Sequence, residues 1–583
     1  MSKKDEKIKK KEQEWKESTV KDALGRFRFL NESPSRYYTP LDVKGFDFLE
    51  KVNFPGQYPF TAGAYPFRPA AGMGRLAALA PAGSGGGRSR AAGYSGYGTP
   101  ADTRDYYQAM IDRGGRGGPN LAMDLPTQCG YDSDNAMSEG EVGKVGVAID
   151  TLKDFEIIYE PYQGDLDLDK ISSNFTMNAM AIYIIAMYAA LAEKRGVAWK
   201  DLRATPQNDI LKEYIARGTY IFTPKHAMRL FRDTLVFLNE HMPKVNITSM
   251  GGYHIREAGA TRTQDLAFSM VIASAYLQTG VDTGLDVDEF APRFTFNAFG
   301  GSMEFLKEIA FQRAARRMYA RLLKERFGAK NPRSMIIRMP ATASIGPSST
   351  TIQRPLNNLT RSVLGGVAGA LSGGPPSTFP PYDEPLGLGW SAEASQLSMD
   401  ASRILSLEGR LGEFEDPFAG SYTMEAMTDE IEAEAWEEFK KIQTMGGAVA
   451  AIEQGYMQRE VSRSAYEHQK KINNGEVLVV GVNCFTGDNE LEVETTRLVP
   501  HPYDPVKRER AEGKQRASLK KVKKNRDNEK VKKLLKQLDK KTRNTEENLV
   551  KHLIKCAKAY VSIQEVADVF RDVFGEYEAP SIL

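Results

Sequence analysis

The stretch that decides the fold lies near the middle of the chain and reads Thr248-Ser249-Met250-Gly251-Gly252-Tyr253-His254-Ile255-Arg256-Glu257-Ala258-Gly259-Ala260. Its first residues are typical of the end of a buried strand, and the two glycines that follow let the backbone turn sharply. His254 then stands at a strand's carboxyl end, where folds built from parallel strands carry their chemistry. Taken alone, such a histidine is more often a structural hydrogen-bonding residue than a catalytic one.

Segments with strand-like and helix-like apolar spacing alternate on both sides of this stretch. Strands are predicted at Asn120–Leu125, Ile171–Met177, Leu202–Thr205, Asn246–Met250, Arg293–Asn297, Ser334–Met339, 375–380 and Val477–Val482. Helices are predicted from Met177 onward and over Asp209–Ile215, Thr263–Gln278, Ser302–Phe327, Pro355–Leu371 and Thr428–Met445. Roughly eight β-α units predict an α/β protein with a (β/α)8 TIM barrel. A doubly wound open sheet is the alternative, because periodicity does not count strands.

The composition indicates a globular protein with no strong preference for nucleic acid or membranes. The chain has 583 residues, 41% of them hydrophobic, and a net charge of +2, which excludes a strongly basic nucleic-acid-binding protein. No run of about 18 apolar residues predicts a membrane span, and the charged N-terminus does not resemble a secretory signal. Three widely separated cysteines indicate neither a disulfide framework nor a zinc site. We therefore expect a cytoplasmic protein.

Three regions are expected along the chain. Residues 1–45 form an N-terminal arm rich in Lys and Glu, residues 46–485 form the barrel domain, and residues 486–583 form a charged helical C-terminal region. The basic run at 507–543 has interspersed Asp and Glu, so a linker helix or a subunit-docking face is favoured over a nucleic-acid patch. The glycine- and arginine-rich segment 83–90 suits phosphate binding and a flexible insertion equally well.

Polar side chains collect at the predicted strand ends. In a barrel these ends converge on one face, so the side chains are expected to form one site, although each alone would more often cap a helix. The candidates are Asp124, Asp132, Asp134, Thr176, Asn178, Gln207, Asn208, Asp209, His254 and Arg293. From the residues alone, the prediction is a barrel enzyme with a polar site that tolerates phosphate.

Several blocks of sequence resemble the methylmalonyl-CoA mutase family, in the same order and over most of residues 55–575. They are Asp124–Thr127 with Gly130–Asp134, Gln207–Glu213, Gly252–Ala260, Asp288–Arg293 and Asp416–Tyr422. The resemblance implies an isomerase that uses adenosylcobalamin for the radical carbon-skeleton rearrangement of an acyl-CoA thioester. It also implies a barrel whose axis is threaded by the coenzyme A chain.

The resemblance implies four catalytic residues. His254 would hydrogen-bond the thioester carbonyl oxygen while the carbonyl group migrates. Gln207 would help to hold the acyl group, and Tyr253 would pack against the migrating group and the deoxyadenosyl moiety. Tyr94 would lie between the substrate and cobalamin. A radical reaction of this kind needs a site that excludes water.

The same resemblance implies contacts with both ends of the substrate and with the cofactor. Arg217 would pair bidentately with a free carboxylate, so we expect methylmalonyl-CoA, succinyl-CoA or a bulkier 2-substituted succinyl-CoA. Arg293 would contact the coenzyme A end, and Glu384 would face the corrin or adenosyl side of the cofactor. Further substrate-binding candidates are Tyr65, Arg68, Thr176, Asn178 and Ala122.

Two departures from the family bear on the substrate. Ala122 lies where hydroxyisobutyryl-CoA mutases carry an aspartate, which argues against a hydroxyacyl substrate. Tyr65 and Arg68 belong to a segment that replaces the family's coenzyme A loop, and it is followed by a Gly/Ala-rich insertion. The alternatives are a mutase for an uncharged branched acyl-CoA of the isobutyryl type, a non-catalytic scaffold, and an unrelated barrel lyase that needs no cobalamin.

A partner subunit is expected from what surrounds the histidines. Family members that bind cobalamin within one chain carry a D-x-H-x-x-G motif, and none of the six histidines here lies in one. The resemblance therefore implies a large, substrate-binding subunit that shares adenosylcobalamin with a separate small subunit. A heterotetramer of two large and two small subunits is expected, with the N-terminal arm and residues 507–543 as candidate docking surfaces.

Overall fold

Short parallel strands lie at the centre of the molecule, with helices between them in the chain. The computed structural model describes residues 3–26, 37–66, 95–297, 299–338, 349–373, 380–386, 392–487, 505–544 and 546–580. The strands in these residues are β1 Asn120–Ala122, β2 Ser173–Thr176, β3 Ala204–Pro206, β4 Thr248–Met250 and β5 Phe294–Phe296.

The strands pair in chain order and run parallel. β1, β2 and β3 form one sheet, and β4 pairs with β5. Backbone hydrogen bonds continue from β3 to β4, because Asn246 N donates to Ala204 O at 2.9 Å and Ser249 N donates to Gln207 O at 2.8 Å. Since parallel neighbours share one direction, the carboxyl ends of all five strands face the same side.

The helices fill the intervals between the strands and the C-terminal part of the chain. The α-helices are α1 Lys3–Trp15, α2 Lys21–Arg26, α3 Phe48–Lys51, α4 Pro100–Asp112, α5 Leu125–Gln128, α6 Leu152–Ile158, α7 Ala181–Lys194, α8 Pro224–His241, α9 Gly252–Glu257, α10 Arg262–Asp282, α11 Val287–Phe290, α12 Phe305–Arg321, α13 Asn357–Leu371, α14 Ala392–Leu407, α15 Tyr422–Thr444, α16 Gly447–Glu453, α17 Tyr456–Asn473, α18 Pro505–Asn525, α19 Asn528–Arg543, α20 Val550–Lys558 and α21 Ile563–Phe574. π-Helical turns occupy Lys16–Val20, Glu213–Arg217 and Leu322–Arg326. 3₁₀ turns occupy Ala136–Ser138, Gly164–Leu166, Trp199–Asp201, Ala291–Arg293, Pro332–Ser334 and Glu384–Leu386.

The expected α/β class with parallel strands is confirmed, and a closed eight-stranded barrel is not seen among the described residues. The first five predicted strands correspond to β1–β5. Ser334–Arg338 is not a strand, although Arg338 O accepts a hydrogen bond from Phe296 N at 2.9 Å. Val477–Val482 is not a strand, because Val480 forms only an isolated bridge with Cys484 and Leu478 is 67% exposed. The segment 374–379 lies outside the described residues.

The apolar stretch after Met177 is a buried helix, as its length predicts. In α7 every residue from Ala181 to Ala192 is buried, which matches a helix that is apolar all round and lies inside a core. No helix in the described ranges combines the length and apolar character needed to cross a bilayer.

The C-terminal helices pack on the strand domain. Tyr183 Oη on α7 donates to Val561 O at 2.7 Å, and Ile563 N donates to Asp150 O at 2.8 Å. Arg571 donates to the carbonyls of Cys129 and Gly130, just beyond β1. The C-terminal region therefore contributes directly to the core, and its role in subunit docking stays a prediction.

Two buried carboxyl groups, Asp150 just before α6 and Asp154 in its first turn, join α18 to the start of α6. Gln515 Nε2 donates to Asp150 Oδ2 at 2.7 Å and to Asp154 Oδ1 at 3.1 Å. Burial raises the pKa of Asp154 to about 6 and also raises the pKa of Asp150, where Asp154 adds repulsion. The C-terminal helices are thus attached through groups whose charge is unfavourable in the folded state.

This attachment predicts a pH-dependent stability. Between about pH 4 and 6 the folded protein keeps a proton on Asp154 that the unfolded chain has lost, so stability falls as pH rises through that window. We expect the melting temperature to fall from pH 5 to pH 7.5, by an amount equivalent to roughly 1–3 kcal/mol. Asp154→Asn should flatten this dependence, and Asp165→Asn at an exposed position should not. Equal pH dependence in all three proteins would contradict the assignment.

Candidate active site

The turn that carries His254 is shaped by a close approach of two helices. Gly252 begins α9, and a Cβ atom there would lie 2.5 Å from Ser269 Oγ and 2.6 Å from Asp265 Oδ1, both on α10. Only glycine fits between them without displacement. The position of the two aromatic rings that follow is therefore decided by the contact of α9 with α10.

Tyr253 and His254 lie against each other at the carboxyl end of β4. Their ring centroids are 4.0 Å apart, and Tyr253 Oη accepts from Asn297 Nδ2 at 3.5 Å, beyond β5. His254 Nδ1 is buried and has no hydrogen-bond partner among the described residues. Burial lowers the pKa of His254 well below its usual value, and the charges of Lys212 and Arg217 lower it further. The imidazole is therefore neutral, with one N–H available to donate.

The Asn178 side chain links the ends of β2 and β3. Its Nδ2 donates to Gln207 Oε1 at 2.8 Å and to Glu213 Oε1 at 2.6 Å. Its Oδ1 accepts from the backbone N of Asp209 at 2.9 Å. All of the Asn178 amide's polar atoms are engaged, so Gln207 is held in one place by a residue of the neighbouring strand.

Asp209 links the end of β3 to the turn after β4. Its Oδ2 accepts from Gly251 N at 2.8 Å, and its Oδ1 accepts from Tyr276 Oη on α10 at 2.8 Å. Burial raises the pKa of Asp209 to about 6, against the opposing charge of Lys212. This carboxylate therefore places the turn of His254 relative to Gln207.

A buried ion pair follows β3 directly. Lys212 Nζ and Glu213 Oε1 are in contact, and their side chains are 1% and 0% exposed. Glu213 Oε2 accepts from both N and Oγ1 of Thr219, at 3.1 and 2.6 Å. Burial alone would raise the pKa of Glu213, but the charges of Lys212 and Arg217 outweigh it and lower that pKa. Burial also lowers the pKa of Lys212.

Arg217 ends the π-helical turn and stands at the open side of this cluster. Its side chain is 24% exposed, and its Nη1 lies 3.7 Å from Glu213 Oε1. Nη1 makes no hydrogen bond with any described residue. A guanidinium in this position can donate to a carboxylate of a bound molecule without breaking an existing hydrogen bond.

The structure brings together His254, Tyr253, Gln207, Asn178 and Arg217 of the predicted site residues. Lys212 and Glu213 belong to the same cluster but received no role from the sequence. The sequence did contain a signal for them, because the two adjacent charges lie between the apolar pairs Ile210-Leu211 and Tyr214-Ile215. Charged residues on an exposed face would have polar neighbours, so this pattern indicates buried charges.

Other predicted residues lie close by. Ala122 and Thr176 are opposite each other at the ends of β1 and β2. Burial raises the pKa of Glu384, and the charges of Asp383 and Glu257 raise it further. Since Glu257 is the last residue of α9, Glu384 lies at the same end of the strands as His254.

Two predicted residues, Arg293 and Tyr65, lie away from the cluster. Arg293 lies at the amino end of β5, opposite His254, where its Nη1 donates to Leu238 O at 3.1 Å and its Nη2 contacts Asn239 Oδ1. If Arg293 contacts coenzyme A as predicted, that contact lies at the amino ends of the strands and not beside His254. Tyr65 is 50% exposed and outside the cluster. Tyr94, Arg68 and segment 83–90 lie outside the described residues.

Comparison with known proteins identifies the family of this chain. The sequence model of the family described as methylmalonyl-CoA mutase matches residues 31–576. The 2-hydroxyisobutanoyl-CoA mutase large subunit of Aquincola tertiaricarbonis is 34% identical over 555 residues, 95% of this chain and 92% of that protein.

Two longer relatives are similar over most of this chain. The mitochondrial methylmalonyl-CoA mutase of Homo sapiens is 32% identical over 529 residues, 90% of this chain and 66% of that protein. Methylmalonyl-CoA mutase of Escherichia coli (strain K12) is 34% identical over 488 residues, 84% of this chain and 66% of that protein. With a family match over almost its whole length, this chain belongs to the methylmalonyl-CoA mutase family and is an isomerase.

Proposed function

We propose that the protein is the large subunit of an adenosylcobalamin-dependent mutase that moves the thioester carbonyl group of a carboxylated acyl-CoA. The observation that carries this proposal is the cluster of a neutral His254, an oriented Gln207 and an Arg217 whose Nη1 has no hydrogen bond. We also infer that β1–β5 are consecutive strands of a (β/α)8 barrel, since they pair in chain order with helices between them.

His254 acts on the thioester carbonyl oxygen in this proposal. A neutral imidazole donates a hydrogen bond without carrying a full charge, so it stabilises charge that develops on the oxygen without protonating it. Gln207 adds a second donor from the end of β3. Tyr253 covers the imidazole ring and helps to exclude water from a reaction that radical quenching would stop.

Arg217 selects a substrate that has a free carboxylate. Lys212 is balanced within the cluster by the carboxylates of Glu213 and Asp209. Arg217 is partly exposed, lies 3.7 Å from Glu213 and has an Nη1 that makes no hydrogen bond with the described residues, so its guanidinium can bind an anionic acyl group. Methylmalonyl-CoA, succinyl-CoA and bulkier 2-substituted succinyl-CoA thioesters are the candidates. Ala122, at the end of β1, provides no hydrogen-bonding group for a substrate hydroxyl.

The residues present fit adenosylcobalamin. The Glu384 side-chain carboxylate accepts no hydrogen bond from the described residues and is near enough to Glu257 to be affected by its charge. It can therefore accept from the hydroxyl or amide groups of such a ligand. The bound cofactor would supply homolytic bond cleavage. The chain's own contribution is to hold the acyl group, to exclude water and to place these carboxylates at the same end of the strands as His254.

A small cobalamin-binding subunit is part of the proposal. Its support is that this chain matches a relative named as a large subunit over 92% of that relative's length. We place the complex in the cytoplasm as two large and two small subunits, with the N-terminal arm and residues 507–543 as candidate contacts.

The second candidate function is a mutase for an uncharged branched acyl-CoA. Its support is the similarity to the 2-hydroxyisobutanoyl-CoA mutase large subunit. Arg217 argues against it, because beside an apolar acyl group its guanidinium would face no partner other than Glu213, at 3.7 Å, which is unfavourable.

A substrate screen tests the reaction class. The purified chain is mixed with a cobalamin-binding small subunit of this family and adenosylcobalamin, and acyl-CoA thioesters are followed by mass spectrometry. We expect isomerisation of at least one carboxylated acyl-CoA. Turnover of isobutyryl-CoA or 2-hydroxyisobutyryl-CoA alone would support the second candidate, and no turnover of any thioester would reject both.

His254→Ala tests the carbonyl donor. Loss of one donor at a developing charge is expected to lower kcat by about 100- to 1,000-fold, with an unchanged circular dichroism spectrum. His468→Ala, at an exposed position on α17, is the matched control and should keep wild-type kcat. Near-normal turnover by His254→Ala would remove the assigned role.

Arg217→Gln tests the preference for a carboxylate. Loss of a charged, bidentate partner is expected to lower kcat/KM for the carboxylated substrate by roughly 10- to 100-fold, from a contribution of about 1.5–3 kcal/mol. Turnover of an uncharged analogue should not fall. Arg113→Gln, an exposed arginine on the turn after α4, controls for loss of positive charge. A parallel fall for both substrates would show that Arg217 supports the fold instead.

A further inference from the structure

Lys212 is a buried cation at the centre of the site for which the proposed reaction has no stated use. Its side chain is 1% exposed, and burying an ammonium is unfavourable unless it has partners. Its Nζ contacts Glu213 Oε1 in an ion pair and donates to Gln207 Oε1 at 3.3 Å. The first contact accounts for its charge, and the second connects it to a residue of the site.

The hydrogen bonds to Gln207 Oε1, one of them from Lys212, decide which way the glutamine amide faces. Gln207 Oε1 accepts from two donors, Asn178 Nδ2 at 2.8 Å and Lys212 Nζ at 3.3 Å. An ammonium group can only donate, so a reversed amide would set its own NH2 group against it. Gln207 Nε2 therefore faces away from Lys212, and none of the described residues accepts a hydrogen bond from it.

Lys212 also approaches the His254 turn. A Cβ atom on Gly251 would lie 3.2 Å from His254 Nδ1 and 3.5 Å from Lys212 Cε, so the two side chains face the same point. The charged groups around this point are Lys212, Glu213, Arg217 and Asp209. Of these, the cations Lys212 and Arg217 disfavour protonation of the His254 ring.

Glu213 keeps the ammonium in this place. Its Oε1 accepts from Asn178 and Lys212, and its Oε2 accepts from Thr219. Glu213 is itself held by these hydrogen bonds, so the ammonium cannot move toward a bound carboxylate without giving up its contact with Glu213 Oε1. The carboxylate is left to Arg217, which is partly exposed.

We propose that Lys212 is a positioning residue that acts through Gln207: by occupying Oε1, it aims the glutamine NH2 group at the acyl group of the bound thioester. This inference rests on the proposed function and adds a residue to it. Lys212 does not touch the substrate, and without Lys212 the Gln207 Oε1 atom keeps only the Asn178 donor, so the amide is held less firmly.

A double-mutant cycle tests the proposal in the complex with the small subunit and adenosylcobalamin. Lys212→Met keeps the length of the side chain and removes the donor, and it should lower kcat by about 10- to 100-fold, with little change in KM because Arg217 remains. In a Gln207→Ala background the same substitution should have no further effect on kcat. Lys225 is an exposed lysine on α8, and Lys225→Met should leave kcat unchanged both in the wild-type background and in the Gln207→Ala background.

Folding is checked separately, because Lys212→Met removes the buried cation that contacts Glu213 and leaves that carboxylate with the more distant Arg217 as its charge partner. Lys212→Met/Glu213→Gln removes both charges. If Lys212→Met does not fold, this double variant takes its place and should show the fall in kcat expected for Lys212→Met. Histidine NMR of the isolated chain gives a second readout, since loss of the ammonium should raise the pKa of His254 in Lys212→Met and not in Lys225→Met.

The possible outcomes separate a failure of the role of Lys212 from a failure of the proposed mutase function. The inference is supported if the wild-type complex isomerises acyl-CoA and Lys212→Met lowers kcat only when Gln207 is present. An equal fall in kcat with and without Gln207, or normal kcat in both Lys212 variants, overturns it and leaves the proposed function intact. No turnover by the wild-type complex overturns the proposed function and this inference with it.

Discussion

The geometry of the site depends on one buried carboxylate, that of Asp209. It receives the backbone N–H of Gly251 and the hydroxyl of Tyr276, each at 2.8 Å. Gly251 leads directly into α9, so this hydrogen bond decides where Tyr253 and His254 stand relative to the end of β3. A carboxylate buried without these donors would be strongly unfavourable, and the strand ends are therefore joined in one arrangement.

The second constraint is the balance of charge behind the site. Glu213 is shared between Lys212 at its buried side and Arg217 at its open side. Ion pairs of this kind add little to stability, since desolvation opposes the attraction. Their effect here is on position and on protonation: Lys212 contacts Gln207, and the charges of Lys212 and Arg217 add to burial in lowering the pKa of His254. Arg217, which is 24% exposed, is the cation that an incoming ligand can reach.

Similarity to relatives does not by itself separate the possible substrates. The chain is 34% identical to a 2-hydroxyisobutanoyl-CoA mutase large subunit and 32% identical to a methylmalonyl-CoA mutase. In the proposed function, individual positions separate them. Arg217 has an Nη1 that makes no hydrogen bond with the described residues and Ala122 has only a methyl group, so the proposal favours a carboxylate over a hydroxyl.

The sequence by itself determined the α/β class, the first five strands and the order of polar residues at their carboxyl ends. These are local properties, because apolar periodicity and glycine punctuation act within a few residues of each other. The resemblance added the roles of His254, Gln207 and Arg217. Apolar spacing did not distinguish Val477–Val482 from a strand, because a strand needs a neighbouring strand to pair with and the spacing does not show one.

Only the tertiary structure decided how the strand ends are joined. Asp209 to Gly251, Asn178 to Gln207 and Lys212 to Gln207 are contacts between segments whose relative placement follows from packing of the helices. It also separated Arg293 from the His254 cluster, because the start and the end of a strand read alike in sequence but lie on opposite faces. A buried ion pair such as Lys212–Glu213 is invisible to pattern, since its meaning depends on the absence of water around it.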